Sequence, residues 1–421
     1  MRHKAIAHAL LVALALAPAA ALAITNDEVN RGLQFNFSNP GARSLALGGA
    51  FTGLADDATA AYANPAGLTI LRKPEFGLEA RSTQFDTPFA SGGEAVFNPF
   101  DASGVGEDTS SDSVSQVSFA SFVYPTERAT FSFFYHKVGD FEGGVDSEAI
   151  EFVSASGNPI EQFLPAAGNL SYEVENFGAA VGFEVSDNFS IGATVAYSDF
   201  TLSSRTDRFA DGEIQNTQRQ NGNDDDIVFS VGALWQISPQ WNFGLAYRSG
   251  GEFEYTASND AGSGTSLRTE FAVPNVFSAG LAFRPTDAWL FSLDLNWVEY
   301  SRLTDDVDSV FPGVVADLDV DDGTEIRFGA EYAFLEMATP MFVRGGVWFD
   351  PDHRLAYGGP TPTDCATEFD ACVDSFLFPE GDDETHFSLG VGWAFSTFVL
   401  DFAADFSDQV DTYSVSGVMR F

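Results

Sequence analysis

Basic residues are scarce: 20 Lys and Arg stand against 61 Asp and Glu, for a formal charge of −41. That balance excludes nucleic acid as a partner, because phosphate binding needs basic patches. Cysteine is scarcer still, with only Cys365 and Cys372. No second Cys/His pair sits nearby at zinc spacing, so a metal site is not expected. In an oxidising compartment a pair this close reads as one local disulfide. Beyond residue 23 the histidines are His136, His353 and His386, and none lies in a nucleophile or metal motif. No enzyme activity and no cofactor are expected. A long apolar helix is also missing. The one apolar run, Ala9–Ala17 (ALLVALALA), is shorter than the about 20 residues a spanning helix needs. With Arg2 and Lys4 before it and Ala21-Leu22-Ala23 after it, residues 1–23 read as a secretory signal peptide cut near Ala23.

What the chain does have is apolar mass, 45% hydrophobic residues with 42 phenylalanines, which argues against disorder despite the acid. It is distributed with a period of two. Phe387, Leu389, Val391, Trp393 and Phe395 alternate with small or polar residues, as do Phe291, Leu293, Leu295 and Trp297. Segments of this kind begin near residues 75, 115, 128, 172, 188, 226, 241, 269, 288, 323, 341, 385, 397 and 412. Many approach the roughly 9–11 residues of a tilted membrane strand. Their connections segregate by parity. Short turns fall at Pro125-Thr126-Glu127, Ser186-Asp187, Ser238-Pro239-Gln240, Pro285-Thr286-Asp287 and Ser396, whereas 85–114, 138–171, 201–225, 300–322 and 351–384 are long. A soluble sandwich has no reason to sort its loops this way. The pattern predicts an all-β fold: a transmembrane antiparallel β-barrel of about fourteen strands over residues 75–421, with short periplasmic turns and long outer loops.

The acid then falls in or beside the outer loops, at Asn221–Asp226 (NGNDDD), Asp305–Asp322 and Gly381–Glu384 (GDDE). Asp317, Asp319, Asp321 and Asp322 supply oxygens of the kind calcium takes, but without the full EF-hand pattern. A solvated acidic surface is the preferred reading; divalent cations bridging to lipopolysaccharide are compatible with it.

Residues 24–74 do not alternate. They are rich in glycine and alanine, yet carry Leu33, Phe35, Phe37, Leu45, Leu47, Phe51, Leu54, Tyr62 and Leu68. A floppy tail needs no such groups, while a plug packed inside a barrel does. Asp56 or Asp57 is placed to cap a short helix through Tyr62, and Asn64 to cap a second with Pro65 at its first position. The string GARSLALGGAFTGLADDATAAYANPAGL resembles the N-terminal hatch of the FadL-type outer-membrane transporters of long-chain fatty acids and aromatic hydrocarbons. Asn64, Pro65 and Ala66 stand where that family has its Asn-Pro-Ala motif. The resemblance continues through VFSAGLAFRPTDAWLFSLDLNWVEYSRL (276–303), IRFGAEYAF, FVRGGVWFD and HFSLGVGWAF (386–395).

The resemblance implies a fourteen-stranded barrel plugged by this hatch and passive transport of a hydrophobic small molecule across the outer membrane. Ligand is caught at the outer loops, passes to a site inside the barrel, and leaves when the hatch shifts, through a gap at a kinked third strand. Gly139 is the candidate for that kink, although it could also simply end the strand. In the loop 138–171, Phe152, Phe163 and Leu164 belong to a candidate capture surface with Ile150, Val153 and Ile160. DRFADGE (207–213) resembles the position of the ligand-binding arginine in the fatty-acid transporter, which singles out Arg208. Before the tenth strand, where that protein's partner lysine would be sought, this chain reads VDDGTEIRFG and is acidic. A neutral hydrocarbon would need no cation, so both ligand classes stand. Outer-membrane lipid and lipopolysaccharide are the surroundings expected. A structural or interaction barrel, such as a secretion component or adhesin, is the alternative.

Overall fold

A computed structural model describes residues 29–30, 33–34, 38–97, 100–262, 264–304, 318–365 and 368–421. The signal-peptide reading and the acidic stretch 305–317 lie outside the described residues. Fourteen strands form one closed antiparallel barrel. They are β1 (Glu75–Phe97), β2 (Asp101–Pro125), β3 (Ala129–Asp146), β4 (Ala166–Ser186), β5 (Phe189–Ala210), β6 (Glu213–Ser238) and β7 (Trp241–Arg248). The second half comprises β8 (Val276–Thr286), β9 (Trp289–Val298), β10 (Gly323–Phe334), β11 (Met341–Asp350), β12 (Glu384–Ala394), β13 (Phe398–Phe406) and β14 (Val410–Arg420). Each strand pairs with the next, and β14 returns to β1 from Glu75↔Arg420 to Phe85↔Val410. Closure leaves no edge unsatisfied at membrane depth, which is what lipid demands of a sheet.

The period-two pattern maps onto an apolar outside and a polar inside. On β12, Phe387 and Leu389 are 60% and 62% exposed, while the intervening His386 and Ser388 are 2% and 1% exposed. Water would penalise that exterior, and hydrocarbon does not. Trp241, Trp289, Phe334, Phe395 and Phe398 are exposed beside the short turns, where an aromatic girdle belongs.

The structure corrects the loop boundaries. Residues 85–114 and 201–225 are mostly strand, because β1, β2, β5 and β6 continue well past the apolar belt. Backbone groups pair there as before, but the outer face meets water. Many of the inward residues, such as Ser204, Thr206, Gln218 and Gln220, are polar although buried, so the apolar alternation that marks a strand disappears. Residues 138–171 finish β3, form the hairpin Ile150–Ser154/Pro159–Phe163 and begin β4. The eighth strand starts at Val276 rather than near 269. Residues 265–272 are instead the return arm of a hairpin, Glu252–Asn259/Thr265–Ala272, whose first arm pairs with β6.

The described residues ahead of β1, chiefly 38–74, pack inside the bore. They contain α1 (Ala42–Ala46), α2 (Ala60–Ala63) and a 3-10 turn, Pro65–Ile70. Asn64 caps that turn as expected, its side chain accepting from the Ala66 N–H with Pro65 at the first position. Asp57 does not cap α2 directly. Its carboxylate accepts from the Thr59 N–H (2.9 Å) and hydroxyl (2.6 Å), bracing the turn before the helix. Phe51, Leu54 and Leu68 are fully buried, each contributing about 1.5–3 kcal/mol to keeping the segment seated.

Candidate ligand passage

The seat of the hatch explains its small-residue composition. A Cβ on Gly192 of β5 would lie 2.3 Å from the Pro65 carbonyl carbon, and one on Gly232 of β6 would lie 2.0 Å from Asn64 Oδ1. The barrel wall thins to bare backbone where the Asn-Pro turn leans on it. Asn64, wholly buried, donates to the carbonyls of Thr52 (2.9 Å) and Ala233 (3.1 Å), tying hatch to hatch and hatch to wall. Asp294 of β9 accepts from the N–H groups of Phe51 (2.8 Å) and Thr52 (2.7 Å). Arg43 bridges Asp56, Asp57 and Glu331, and Arg344 continues the chain to Glu331 (2.7 Å) and Asp401 (2.6 Å). Burial pushes the Asp57 carboxyl above the usual carboxylate range, against the pull of Arg43. These are polar locks, and they are held by directional bonds that can exchange with water or ligand.

Above the hatch, a cavity of about 950 Å3 (its open mouth included) lies under the outer loops. Phe89, Phe141, Phe163, Leu170, Leu377 and Phe378 give it an apolar lining, and Arg208 is the one charged side chain on it among the described residues. Arg208 is 2% exposed, and its guanidinium lies 4.2 Å from the centroid of the Phe163 ring. Arg208 and Phe163, singled out from separate stretches of the sequence, therefore meet at one cavity. Phe152 and Leu164 do not join them. Phe152 is buried in a neighbouring cluster against Phe97 (5.1 Å) and Phe376 (6.3 Å), alongside Cys365 and Cys372, while Leu164 is buried off the lining. Cys365 and Cys372 are disulfide-bonded at the start of α3 (Phe369–Leu377), the helix whose end delivers Leu377 and Phe378 to the cavity wall. Sequence reasoning missed those two residues; the short cysteine loop was the available signal that 351–384 holds a fixed shape.

Below this cavity six buried rings run across the lumen. Phe85 meets Phe141 (5.0 Å), Phe141 meets Tyr172 (6.1 Å), and Tyr172 meets Phe271 (6.0 Å). Phe271 meets Phe200 (5.2 Å), which stacks on Phe253 (4.9 Å). Strand order fixes the level. On β4, Leu170 lines the upper cavity, Tyr172 belongs to the rings, and Val174 and Asn176 line a second cavity beneath them.

Gly139 sits at a register shift between Lys137 and Gly139, the one irregularity in the β3–β4 ladder. The β2–β3 ladder ends at Phe119↔His136, just below it. Farther out the two strands are joined by a side chain, with the Gly144 N–H donating to Asp112 Oδ2 (3.2 Å). The wall thus loses its backbone ladder where the bulge falls.

A fourteen-strand barrel with an apolar exterior, a polar-locked plug and an apolar chamber under its outer loops defines a transport protein of the outer membrane. The chain belongs to the family described as outer membrane protein transport protein (OMPP1/FadL/TodX), which matches residues 21–412. Its fold is similar to that of a Pseudomonas aeruginosa FadL homologue, at 14% identity and a TM-score of 0.66 over 93% of this chain and 100% of that one. It is also similar to the Pseudomonas putida toluene transporter TodX, at 14% identity and a TM-score of 0.60, covering 92% and 99%. The Ralstonia pickettii toluene transporter TbuX gives 17% identity and a TM-score of 0.58, again covering 92% and 99%. No curated protein matches the chain.

Proposed function

We propose that the barrel carries hydrophobic small molecules, long-chain fatty acids or aromatic and aliphatic hydrocarbons, inward without an energy source. The observation that carries this reading is the apolar cavity with the buried guanidinium of Arg208 on its wall, placed between the outer loops and a plugged lumen. Sheltering an oily molecule from water gains about 25 cal/mol per Å2 of apolar surface, enough to draw it through the sugar layer. In this reading residues 1–23 direct export and are cut near Ala23, 24–74 form the hatch held by Asn64, Pro65 and Ala66, and 75–421 form the barrel. Phe163 and Arg208 hold ligand, with Phe152 and Leu164 supporting them from behind. The bulge at Gly139 is the lateral exit into the membrane. No catalytic role is assigned. The acidic outer rim faces lipopolysaccharide, and divalent cations bridge the two at the surface.

Native mass spectrometry of gently extracted protein against fatty acids, toluene, alkanes and sugars tests the reading. Apolar ligands are expected to remain bound and sugars to be absent; no apolar ligand across that panel would overturn transport. The disulfide gives a second test. Replacing Cys365 and Cys372 with serine frees the loop that supplies Leu377 and Phe378, and is expected to speed ligand release about three- to tenfold, the equivalent of about 1 kcal/mol. Stopped-flow release of a fluorescent fatty acid measures it, and an unchanged rate would remove the loop from the cavity's function.

A further inference from the structure

The six rings stand between the two cavities as a septum, and the row is not evenly packed. Phe85 and Phe141 are 5.0 Å apart, while Phe200 lies 4.9 Å from Phe253 and 5.2 Å from Phe271. Tyr172 joins these two tight groups at longer range, 6.1 Å to Phe141 and 6.0 Å to Phe271. All six rings are buried and at contact spacing, so an apolar molecule crosses the row only where a ring gives way.

Tyr172 is placed to be that ring. On β4 it stands between Leu170, on the upper cavity, and Val174, on the lower one. On β3, Phe141 lines the upper cavity and Val138 the lower, with the bulge at Gly139 between them. The Tyr172 ring rests on that bulge. A Cβ on Gly139 would come 2.9 Å from its Cε2, so glycine gives the ring backbone to lie on and no side chain to clamp it. Its hydroxyl donates to the Gln34 carbonyl (3.1 Å), in the segment ahead of the hatch helices. Gln34 is fixed in turn, its side chain donating to the Asp86 carbonyl (3.1 Å) and the Thr87 hydroxyl (2.9 Å) of β1. A directional bond of this kind holds a side chain in one position and breaks at modest cost.

We propose that the septum is a sieve whose moving leaf is Tyr172. Swinging one ring aside opens an aperture of that ring's own cross-section. The passage therefore takes unbranched chains and single-ring hydrocarbons, and turns back cage-shaped or heavily branched ones. Phe85 with Phe141, and Phe200 with Phe253 and Phe271, are the fixed frame. Selection at this level is by width and is indifferent to the charge of a head group. The inference rests on the proposed transport of apolar molecules, and the test separates the two.

Cells carrying the full barrel in their outer membrane, and cells without it, are given toluene, decane or adamantane, and uptake is followed by gas chromatography with mass detection. Decane and adamantane have the same number of carbons and differ in width. Toluene and decane are expected to enter through the unaltered barrel, and adamantane to enter no faster than in cells without it. Tyr172→Phe loses the bond to Gln34, so toluene and decane are expected to enter about fivefold faster, the weight of one hydrogen bond, with adamantane still excluded. Tyr172→Ala removes the leaf, and adamantane is then expected to enter at the rate of decane. Tyr172→Leu, apolar but without the ring, is read in the same way if Tyr172→Ala fails to fold. Adamantane entering through the unaltered barrel at the rate of decane would overturn the sieve and leave the proposed transport standing. So would its continued exclusion from Tyr172→Ala and Tyr172→Leu barrels that pass decane. No uptake of any of the three above that of cells without the barrel would overturn both.

Discussion

Deletion of residues 24–70 is expected to turn a barrel that passes little current into an open pore. The ladder that closes the wall, from β1 round to β14, runs without any strand from the hatch, so the barrel should survive the loss. What the deletion uncovers is polar: Glu79, Ser132, Asp294, Glu331, Arg344, Asp401 and Ser414 all point inward and are buried with the hatch in place. Glu331, Arg344 and Asp401 would still pair with one another, while Asp294 would exchange the N–H groups of Phe51 and Thr52 for water. Barrels somewhat larger than this one enclose aqueous channels, so single-channel conductance in a planar bilayer should rise about tenfold or more. Retained β-sheet circular dichroism confirms that the barrel is intact. Unchanged conductance on a folded barrel would mean that the bore is sealed by the wall's own side chains.

The contrast between hatch and wall shows which parts of this fold were legible in the sequence. Strands β7 and β9–β14 announced themselves, because an apolar residue faces lipid at every second position and the residue between faces a polar lumen. The outer halves of β1, β2, β5 and β6 did not, since their outer face meets water and many of the residues that turn inward there are polar, so the apolar period is lost. The eighth strand, expected from near 269 to the turn at 285–287, is found from Val276. Its first expected residues, 269–272, belong to the hairpin arm Thr265–Ala272, and only the pairing of that arm's partner with β6 separates them from the barrel. In the hatch, Asn64 and Pro65 were legible from local chemistry, as a cap followed by a residue that needs no helical donor. Their seat on Gly192 and Gly232 was not, because a glycine on the inner face of a strand looks the same whether or not a hatch presses against it. At the site, Arg208 came from resemblance to a family. Leu377, Phe378 and the aromatic rings stayed hidden, since they converge from loops and strands far apart in sequence.

Arg208→Ala is expected to weaken binding of a carboxylic acid about 100-fold, and of a neutral hydrocarbon less than about threefold. The argument turns on burial. In water an exposed arginine and carboxylate contribute under about 1 kcal/mol, too little for a measurable preference. Arg208 is 2% exposed in a cavity whose other described lining residues are uncharged, where removing one partner of a charge pair costs about 3 kcal/mol, because the ligand's charge is left without compensation. A hydrocarbon leaves no charge behind. It loses only the packing of the guanidinium plane and its stack on Phe163, and it gains some room. Dissociation constants for laurate and for toluene, measured on the same preparation, separate the two effects, and Arg208→Lys should restore part of the acid binding by returning a point charge without the fork. Equal loss for both ligands would show that Arg208 acts by holding the cavity's shape. Acid discrimination would then have to come from elsewhere on the route.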